Sequence, residues 1–478
     1  MGIATSTFRL TASAAGARRW LLPAALMLGA AASVAAADSR DLQVYGTAVS
    51  AAPADPAITR ALRQISAQRI QRIIETLVAF RTRNTLSSMD TDLPKGEGIN
   101  AAADWIESQL QEYSRACGGC LEVRRDTFTQ SPKQRVPRPT TMVNIYAVLR
   151  GSDPSQAKRV YLVTGHYDSR ATDVLDSHAP APGANDDASG VAVSLECARV
   201  LSSLKPAATV VFATVAGEEQ GLDGSRHLAA LAKEQGWQVE AALDNDIVGG
   251  NTTPGDRWQD KSAVRVFSEG LPIAATPEQM KELVTLGYES DSPSRELARA
   301  MADVGRTYRG LTPVLELRRD RFLRGGDHQS FNQEGFAAVR LTEWREDYRH
   351  QHQTPRVENG IQYGDLLKYV DFQYVARVAS LNAATLAVLA YAPPAPTNVR
   401  ILTQALDNDS TLRWQGSGTD VHYEVLWREL SAAQWQRSTQ VAQTSATLPI
   451  SKDNVIFGVR AVDAQGHRSP AVAPLPER

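Results

Sequence analysis

The sequence has little cysteine, little net charge and no long apolar run beyond its first 40 residues. Three cysteines in 478 residues are too few for a disulfide scaffold or a cysteine-rich zinc module. The 51 basic and 53 acidic residues nearly balance, which argues against a nucleic-acid-binding protein. With 43% hydrophobic and 22% charged residues, the composition excludes a disordered chain. Any bound metal must therefore be held mostly by His, Asp and Glu.

The N-terminus has the pattern of an export signal. Arg18 and Arg19 precede a short apolar run that begins at Trp20, and small residues ending at Ala37 follow it. These three features are typical of a secretory signal peptide. A transmembrane anchor is the alternative, but the run is short for a span of about 20 residues. We therefore predict a signal peptide over residues 1–37 and an exported protein, periplasmic or extracellular, without a transmembrane segment.

The cysteines fit an oxidising compartment. Cys117 and Cys120 are separated by two glycines in a turn-like stretch between a helix and a strand. A thioredoxin-type redox motif needs the opposite order, a strand followed by a helix. A local disulfide is therefore expected, whereas Cys197 lies among apolar residues and is expected to be a buried free thiol.

Helix and strand patterns alternate through most of the chain. Apolar periodicity predicts helices over residues 58–81, 100–114, 189–204, 224–233, 291–304 and 369–389. Short apolar runs predict strands over residues 142–149, 160–164, 208–215, 241–246, 263–267, 314–317 and 337–342. Near-continuous apolar strands that alternate with helices predict an α/β fold whose sheet is covered on both faces.

The pattern changes at a proline-rich stretch, residues 393–397, which is typical of a stiff linker. Only alternating strands follow, in Leu412–Trp414, Tyr423–Arg428 and Phe457–Asp463. These strands resemble a fibronectin type III domain, which implies an all-β, immunoglobulin-like sandwich. The tail contains no cluster of catalytic residue types, so we expect it to be a spacer or to bind a protein or carbohydrate surface.

Polar motifs follow the ends of several predicted strands. His166 comes soon after the apolar run 160–164, and Asp168 lies two positions later. The carboxyl ends of strands in such sheets face the ligand crevice. A histidine there suits a metal ligand, and the aspartate suits a carboxylate that supports its imidazole. On its own, this motif is weak and is better explained by an ordinary structural histidine.

Paired carboxylates occur in two further motifs. Asp186 and Asp187 open a predicted helix, where they fit either a helix cap or a site in which one Asp bridges two ions. Glu218 and Glu219 follow the apolar strand 208–215, and burying both is costly without compensation. A metal resolves this conflict if one Glu ligates it and the other stays free as a base. Surface glutamates are the plainer alternative.

Two more elements complete a set of metal donors. Asp246 ends the predicted strand 241–246, although a polar turn is an alternative there. His350 and His352 lie close together in a later segment. The five elements supply His, Asp, Glu, Asp and His, which fits two divalent ions, with zinc the best match. This coincidence is more specific than any single motif.

The segments Gly165–Ser169, Gly183–Gly190 and Gly217–Ser225 resemble the motifs of secreted zinc-dependent aminopeptidases of the clan MH metallo-exopeptidase family, such as bacterial leucyl aminopeptidases. The resemblance covers residues 55–392. It implies a three-layer sandwich with a mixed, mostly parallel central sheet between helices. It also implies peptide substrates and two zinc ions per chain.

Carried over position by position, the resemblance implies that His166, Asp186 and Asp246 hold one zinc ion. Asp186 bridges to the second ion, which Glu219 and His352 also hold. The metal ligands implied for this chain are therefore two histidines and three carboxylates.

The same resemblance assigns supporting roles. Glu218 would be the general base, and Asp168 would support His166. The peptide bond between Asp186 and Asp187 is often cis in this family. His328 lies in a segment that lines the pocket, and we interpret it as part of the scaffold and not as a ligand.

This sequence departs from the family pattern in three places. Ile247 stands where the family usually has Met, and Arg356 stands where Asp commonly follows the last ligand. His350 competes with His352 for the place of the last ligand. Thr354 follows His352 by two positions, and in the family a threonine closely follows this ligand, which favours His352.

Three other functions remain open at this point. A glutaminyl cyclase on the same scaffold is disfavoured by residues 217–225 and would hold one zinc ion. An inactive receptor-like protein predicts missing ligands, and none is missing. A carboxypeptidase or dipeptidase of the same clan needs a group that binds the substrate carboxylate. The basic run Arg318, Arg319, Arg321 and Arg324 could supply one, or could simply be a solvated surface.

These patterns divide the chain into five parts. The signal peptide, residues 1–37, is followed by an N-terminal segment, residues 38–54, most of which is a candidate propeptide. The zinc exopeptidase domain covers residues 55–392. The proline-rich linker, residues 393–397, leads to the fibronectin type III-like domain, residues 398–478.

Overall fold

The chain folds into alternating helices and strands, followed by strands alone. The computed structural model describes residues 41–416, 418 and 420–477, and the predicted signal peptide lies outside them. In this part of the chain the α-helices are α1 (Asp41–Val44), α2 (Pro56–Leu62), α3 (Ala67–Ala79), α4 (Gly98–Ala116), α5 (Ala188–Leu201), α6 (Asp223–Glu234), α7 (Pro277–Leu286), α8 (Pro293–Tyr308), α9 (His328–Gln333) and α10 (Phe372–Tyr391).

The strands before α10 are β1 (Thr47–Ala48), β2 (Leu121–Gln130), β3 (Thr140–Leu149), β4 (Arg159–His166), β5 (Thr209–Val215), β6 (Gln238–Asn245), β7 (Ala263–Ser268), β8 (Thr312–Glu316), β9 (Ala338–Thr342), β10 (Arg356–Glu358) and β11 (Ile361–Tyr363). After α10 come β12 (Thr397–Leu402), β13 (Ser410–Gln415), β14 (His422–Glu429), β15 (Arg437–Val441), β16 (Ser445–Leu448), β17 (Val455–Val462) and β18 (Leu475–Glu477).

The central sheet has the order β2-β3-β5-β4-β6-β9-β7-β8. Strands β5, β4, β6 and β9 run parallel to one another in its middle, and β7 pairs parallel with β8. The pairs β2/β3, β3/β5 and β7/β9 are antiparallel. This mixed sheet confirms the predicted fold class.

Alternate residues of the inner strands face two helix layers. In β5, Val210 and Phe212 pack into a core that includes α3, α5 and α10, whereas Val211 and Ala213 pack against α6 and α9. Because side chains alternate across a strand, an uninterrupted apolar run is what a sheet covered on both faces requires. Every residue of β5 is buried, which accounts for the largely apolar sequence of this strand.

Two predictions about helices were wrong in detail. The helix expected over residues 58–81 is interrupted between α2 and α3. Ser66 caps α3 by accepting a hydrogen bond from the Arg69 amide, and its own amide donates to Glu196. Helix α7 was not predicted, since it buries none of its residues and its apolar face gives a weak signal.

Among the described residues, α10 is the helix whose length and composition would suffice to cross a membrane. Its apolar window is 72% buried inside the protein, where it packs against α5 and the sheet. Its apolarity is thus explained by its place in the core.

The chain beyond α10 forms an all-β body of two facing sheets. One sheet has the order β16-β13-β12-β18, and the other β1-β15-β14-β17. Their shared core includes Trp414, Trp427 and Phe457, which lie on the inner faces of β13, β14 and β17. The tail is therefore all-β, as predicted.

One strand of this sandwich comes from the opposite end of the chain. Thr47 and Ala48 of β1 pair antiparallel with Ser438 and Arg437 of β15. Leu42, which precedes β1, is buried in the same core. The N-terminal segment thus completes the C-terminal sandwich, a pairing that the sequence patterns did not predict.

Charged contacts join the sandwich to α8 and the loop before it. Arg428 lies 2.5 Å from Asp291, and Arg460 lies 2.9 Å from Asp303. The indole nitrogen of Trp435 donates to Glu296 at 2.9 Å. The described residues, from 41 to 477, belong to one compact unit.

The described cysteines behave as expected. Cys117 and Cys120 form a disulfide between α4 and β2. Cys197 is a buried free thiol in α5.

Candidate metal centre

The candidate site lies at the carboxyl edge of the parallel strands. Strand β4 ends at His166, β5 leads to the Glu218–Glu219 pair, and β6 leads to Asp246. Because β5, β4 and β6 are neighbours in the sheet, their carboxyl ends meet at one edge. Residues far apart in sequence thus converge on a single crevice.

Two groups of donors form there and share one aspartate. In the first group, His166 Nε2 lies 3.2 Å from Asp186 Oδ1 and 3.8 Å from Asp246 Oδ1. In the second, His352 Nε2 lies 3.0 Å from Asp186 Oδ2 and 3.1 Å from Glu219 Oε1. Asp186 therefore directs one oxygen to each group. The structure brings together all five residues that the sequence analysis assigned as ligands.

The donor atoms of the two groups face one another, but four of them form no hydrogen bond. His166 Nε2, Asp186 Oδ2, Glu219 Oε1 and Asp246 Oδ1 are buried and make no hydrogen bond. Leaving such groups unsatisfied costs about 1–3 kcal/mol each, and more when they are charged. Bound cations would remove this cost. Two imidazoles and three carboxylates suit a pair of borderline divalent ions, and zinc matches this donor set.

Glu218 lies outside both groups of donors and is half-buried beside them. Burial, reinforced by the negative charge of Glu219, raises the pKa of the Glu218 carboxyl well above its ordinary value, although His166 opposes the shift. A carboxyl group with a raised pKa at the edge of a metal centre can accept and return a proton.

Asp168 contacts three parts of the site. Its carboxylate accepts hydrogen bonds from the backbone amides of Glu218, at 3.3 Å, and Glu219, at 3.1 Å. His166 Nδ1 lies 3.1 Å from its carbonyl oxygen and 3.5 Å from its carboxylate. Asp168 therefore orients the glutamate pair as well as the imidazole.

The loop that carries Asp186 is held from several sides. The peptide bond between Asp186 and Asp187 is cis, as the resemblance implies. Asp187 caps α5 by accepting from the Gly190 amide, and it also accepts from the His166 amide. Asp187 therefore has the helix-capping role that was the alternative prediction for the Asp186–Asp187 pair.

Sequence reasoning missed two residues that support this loop. The Asp365 carboxylate accepts from the amides of Asn185 and Asp186 at 2.8 and 2.7 Å. Arg83 is buried and donates to the carbonyl oxygens of Tyr167 and Gly183. An arginine or aspartate distant from every motif gives no local signal of such a role.

The two histidines that competed for the last position have different surroundings. His352 belongs to the second group of donors. His350 stacks on the Tyr369 ring, with centroids 3.8 Å apart, and its Nε2 lies 3.8 Å from Asp347. Of the two, the geometry brings only His352 to the other donors.

His328 and the basic run lie beside the centre. Both ring nitrogens of His328 face protein partners, Asp244 Oδ2 at 3.1 Å and the Arg319 carbonyl at 2.9 Å. Arg321 and Arg324 both pair with Glu346. Arg321 is buried, so the interpretation of the run as solvated surface is wrong for this residue.

Comparison with known proteins places the chain among peptidases. The model of peptidase family M28 matches residues 144–368. A probable zinc metalloprotease of Pyrenophora teres f. teres is 46% identical over 89% of this chain and 88% of its own length. A probable zinc metalloprotease of Leptosphaeria maculans is 45% identical over 87% of this chain and 96% of its own length.

Solved structures with a similar chain path include the Legionella pneumophila LapA aminopeptidase, with a TM-score of 0.48 and 18% identity over 72% of this chain and 77% of that one. A glutaminyl cyclase of Bacteroides thetaiotaomicron has a TM-score of 0.46 and 16% identity over 68% of this chain and 98% of that one.

The fold, the donor groups and the curated relatives define a metallopeptidase. The chain belongs to peptidase family M28.

Proposed function

We propose that this protein is a co-catalytic dizinc aminopeptidase that removes N-terminal residues from peptides. The observation that carries the proposal is Asp186, whose two oxygens lie 3.2 and 3.0 Å from the imidazoles of His166 and His352. A carboxylate whose two oxygens face two separate donor groups is suited to bridge two metal ions. The curated relatives named probable zinc metalloprotease support zinc as the metal.

Bound zinc would supply Lewis acidity, which polarises the scissile carbonyl and makes water a nucleophile near neutral pH. The chain's own residues would then hold the substrate and move the proton. Glu218 accepts the proton of the attacking water and returns it to the leaving amine. Asp168 keeps Glu218 in place through its hydrogen bond to the backbone amide.

Cleavage at the first residue would follow from capture of the substrate's α-amine beside the metal centre. Asp186, Glu219 and Asp246 bring three carboxylates to the centre, which offset most of the charge of two divalent ions. An α-amine bound near the ions would confine cleavage to the first peptide bond. The resemblance of residues 217–225 to aminopeptidase motifs supports the same conclusion.

We also propose that the protein is exported to the periplasm or the extracellular space. The charged and apolar pattern of residues 1–37 supports a signal peptide. The tail, residues 398–478, is proposed to be a fibronectin type III-like domain that binds a protein or carbohydrate surface. Residues 55–392 are proposed as the zinc exopeptidase domain, with residues 393–397 as the linker.

The proposal is tested by stripping the protein with a chelator and restoring zinc in steps. We expect hydrolysis of leucine p-nitroanilide to rise until two zinc ions are bound per chain. Cyclisation of N-terminal glutamine, measured on the same samples, should stay at the uncatalysed rate. Full activity with one zinc ion per chain, together with catalysed cyclisation of N-terminal glutamine, would contradict the aminopeptidase and favour a glutaminyl cyclase.

A further inference from the structure

Arg340 is a buried cation in contact with a carboxylate of the metal centre. Its Nη2 lies 2.7 Å from Asp246 Oδ2, and its side chain is shielded from solvent. Arg340 lies in β9, where it pairs in register with Asp244 of β6. Because β6 leads directly to Asp246, the strand pairing brings the guanidinium beside that carboxylate.

The two oxygens of Asp246 therefore face different surroundings. Oδ2 makes the ion pair with Arg340. Oδ1 lies 3.8 Å from His166 Nε2 and is buried without a hydrogen-bond partner. One oxygen is held by the protein, and the other faces the first group of donors.

Arg340 is itself held in place by the neighbouring loop. It donates to the carbonyl oxygen of Gly325 at 3.0 Å and to that of Asp246 at 3.4 Å, and Asp320 lies 3.8 Å away. A Cβ atom at Gly326 would come within 2.3 Å of Arg340 Nη1. The glycine thus leaves the space that the guanidinium occupies.

We propose that Arg340 is a positioning residue of the metal centre. By holding Asp246 Oδ2, it leaves Oδ1 as the single oxygen with which Asp246 binds metal. The inference rests on the proposed function, since it takes Asp246 as a metal ligand. None of the predicted site residues has this role.

Two effects of the guanidinium on metal affinity oppose each other. Its charge repels a cation, but it lies at the oxygen of Asp246 that faces away from His166. Its hydrogen bond fixes the carboxylate, which would otherwise be free to turn inside the site. Partners that orient metal ligands typically contribute about 10–100-fold to metal affinity. We expect orientation to outweigh repulsion, so that loss of Arg340 weakens one metal position.

The test compares zinc binding by the wild type and three variants, by competition with a chromophoric chelator. Arg340→Met should weaken one of the two bound ions by about 10–100-fold and leave the other unchanged. Arg340→Lys should recover part of the loss, because an ammonium can still reach Asp246 Oδ2. Arg159→Met is the matched control and should bind both ions like the wild type. It removes a buried arginine at the opposite end of β4 from His166, which pairs with Glu240 and with no metal donor.

Unchanged or tighter binding by Arg340→Met would overturn the inference, as would an equal loss in Arg159→Met. A wild type that binds fewer than two zinc ions would overturn the proposed function and the inference together. The two failures are therefore distinguishable.

A crystal structure of the zinc-loaded wild type tests the same point without a variant, so a folding failure of Arg340→Met does not block the test. We expect one Asp246 oxygen on zinc and the other on Arg340. Both oxygens on zinc, with Arg340 displaced, would overturn the inference.

Discussion

The indole Nε1 of Trp427 donates a hydrogen bond of 2.9 Å to the carbonyl oxygen of Leu42, 385 positions earlier in the chain. The same indole stacks on Tyr45 and contacts Gly46, where a Cβ atom would come within 2.2 Å of the ring. Arg437 donates to the carbonyl oxygens of both residues. Residues 42–48, which lie within the candidate propeptide, therefore belong to the C-terminal sandwich, and we expect the mature protein to retain them.

Leu42→Ala should destabilise the sandwich. The Leu42 side chain is buried in its core, and such truncations cost about 2–5 kcal/mol. The free energy of unfolding, measured in urea with tryptophan fluorescence as the signal, should fall by this amount. Val44→Ala is the matched control, because Val44 is 74% exposed in the same segment and its loss should cost little. Equal stability of the two variants would contradict the role of Leu42.

Glu218→Gln should keep both metal positions and lose catalysis. The amide cannot accept the proton of the attacking water, whereas every proposed ligand remains. We expect kcat to fall by about 10²–10⁴-fold with an unchanged zinc content. Turnover near that of the wild type would remove Glu218 from the mechanism.

His352→Ala and His350→Ala should differ in metal content. His352 Nε2 lies 3.1 Å from Glu219 Oε1, whereas His350 stacks on Tyr369. Elemental analysis after dialysis should find about one zinc ion fewer per chain in His352→Ala and the full content in His350→Ala. The reverse pattern would move the last ligand to His350.

The contribution of His467 to stability should depend on pH. Burial alone would lower the pKa of His467, but contacts with Asp463 and Asp55 outweigh it and raise the pKa above the ordinary value. Because the pKa of His467 is higher in the folded state, its protonation stabilises the fold at pH values below the unfolded-state pKa, near 6.5. This stabilisation is lost as the pH rises through the folded-state pKa. The difference in unfolding free energy between the wild type and His467→Gln should therefore shrink from pH 5.5 to pH 9. A constant difference would show that protonation of His467 does not stabilise the fold.

The central sheet and its donor residues were predictable because their signals are local. Apolar runs such as residues 160–164 mark buried strands, and the polar residues that follow them must meet at one edge of a parallel sheet. Order along the chain singled out His166, the Glu218–Glu219 pair and Asp246 as candidates. The resemblance then assigned Glu219 as the ligand and paired it with His352.

The remaining features depend on contacts between distant residues. Arg340 is separated from Asp246 by 94 positions, and Asp365 from Asp186 by 179. An arginine within the apolar run 337–342 was a signal that a buried acid lies nearby, but not of which one. Strand β1 has two residues and is too short to show a sequence pattern, so its pairing with β15 could not be predicted. Such relationships arise from the fold, and no short stretch of the sequence indicates them.

The most direct test of the aminopeptidase assignment is mass spectrometry of the products from three forms of one peptide, incubated with the zinc-loaded protein. The forms are the free peptide, its N-acetylated form and its C-terminally amidated form. The account predicts loss of a single N-terminal residue from the free and amidated peptides, and no cleavage of the acetylated one. Cleavage of the acetylated peptide, or removal of residues from the C-terminus, would contradict it.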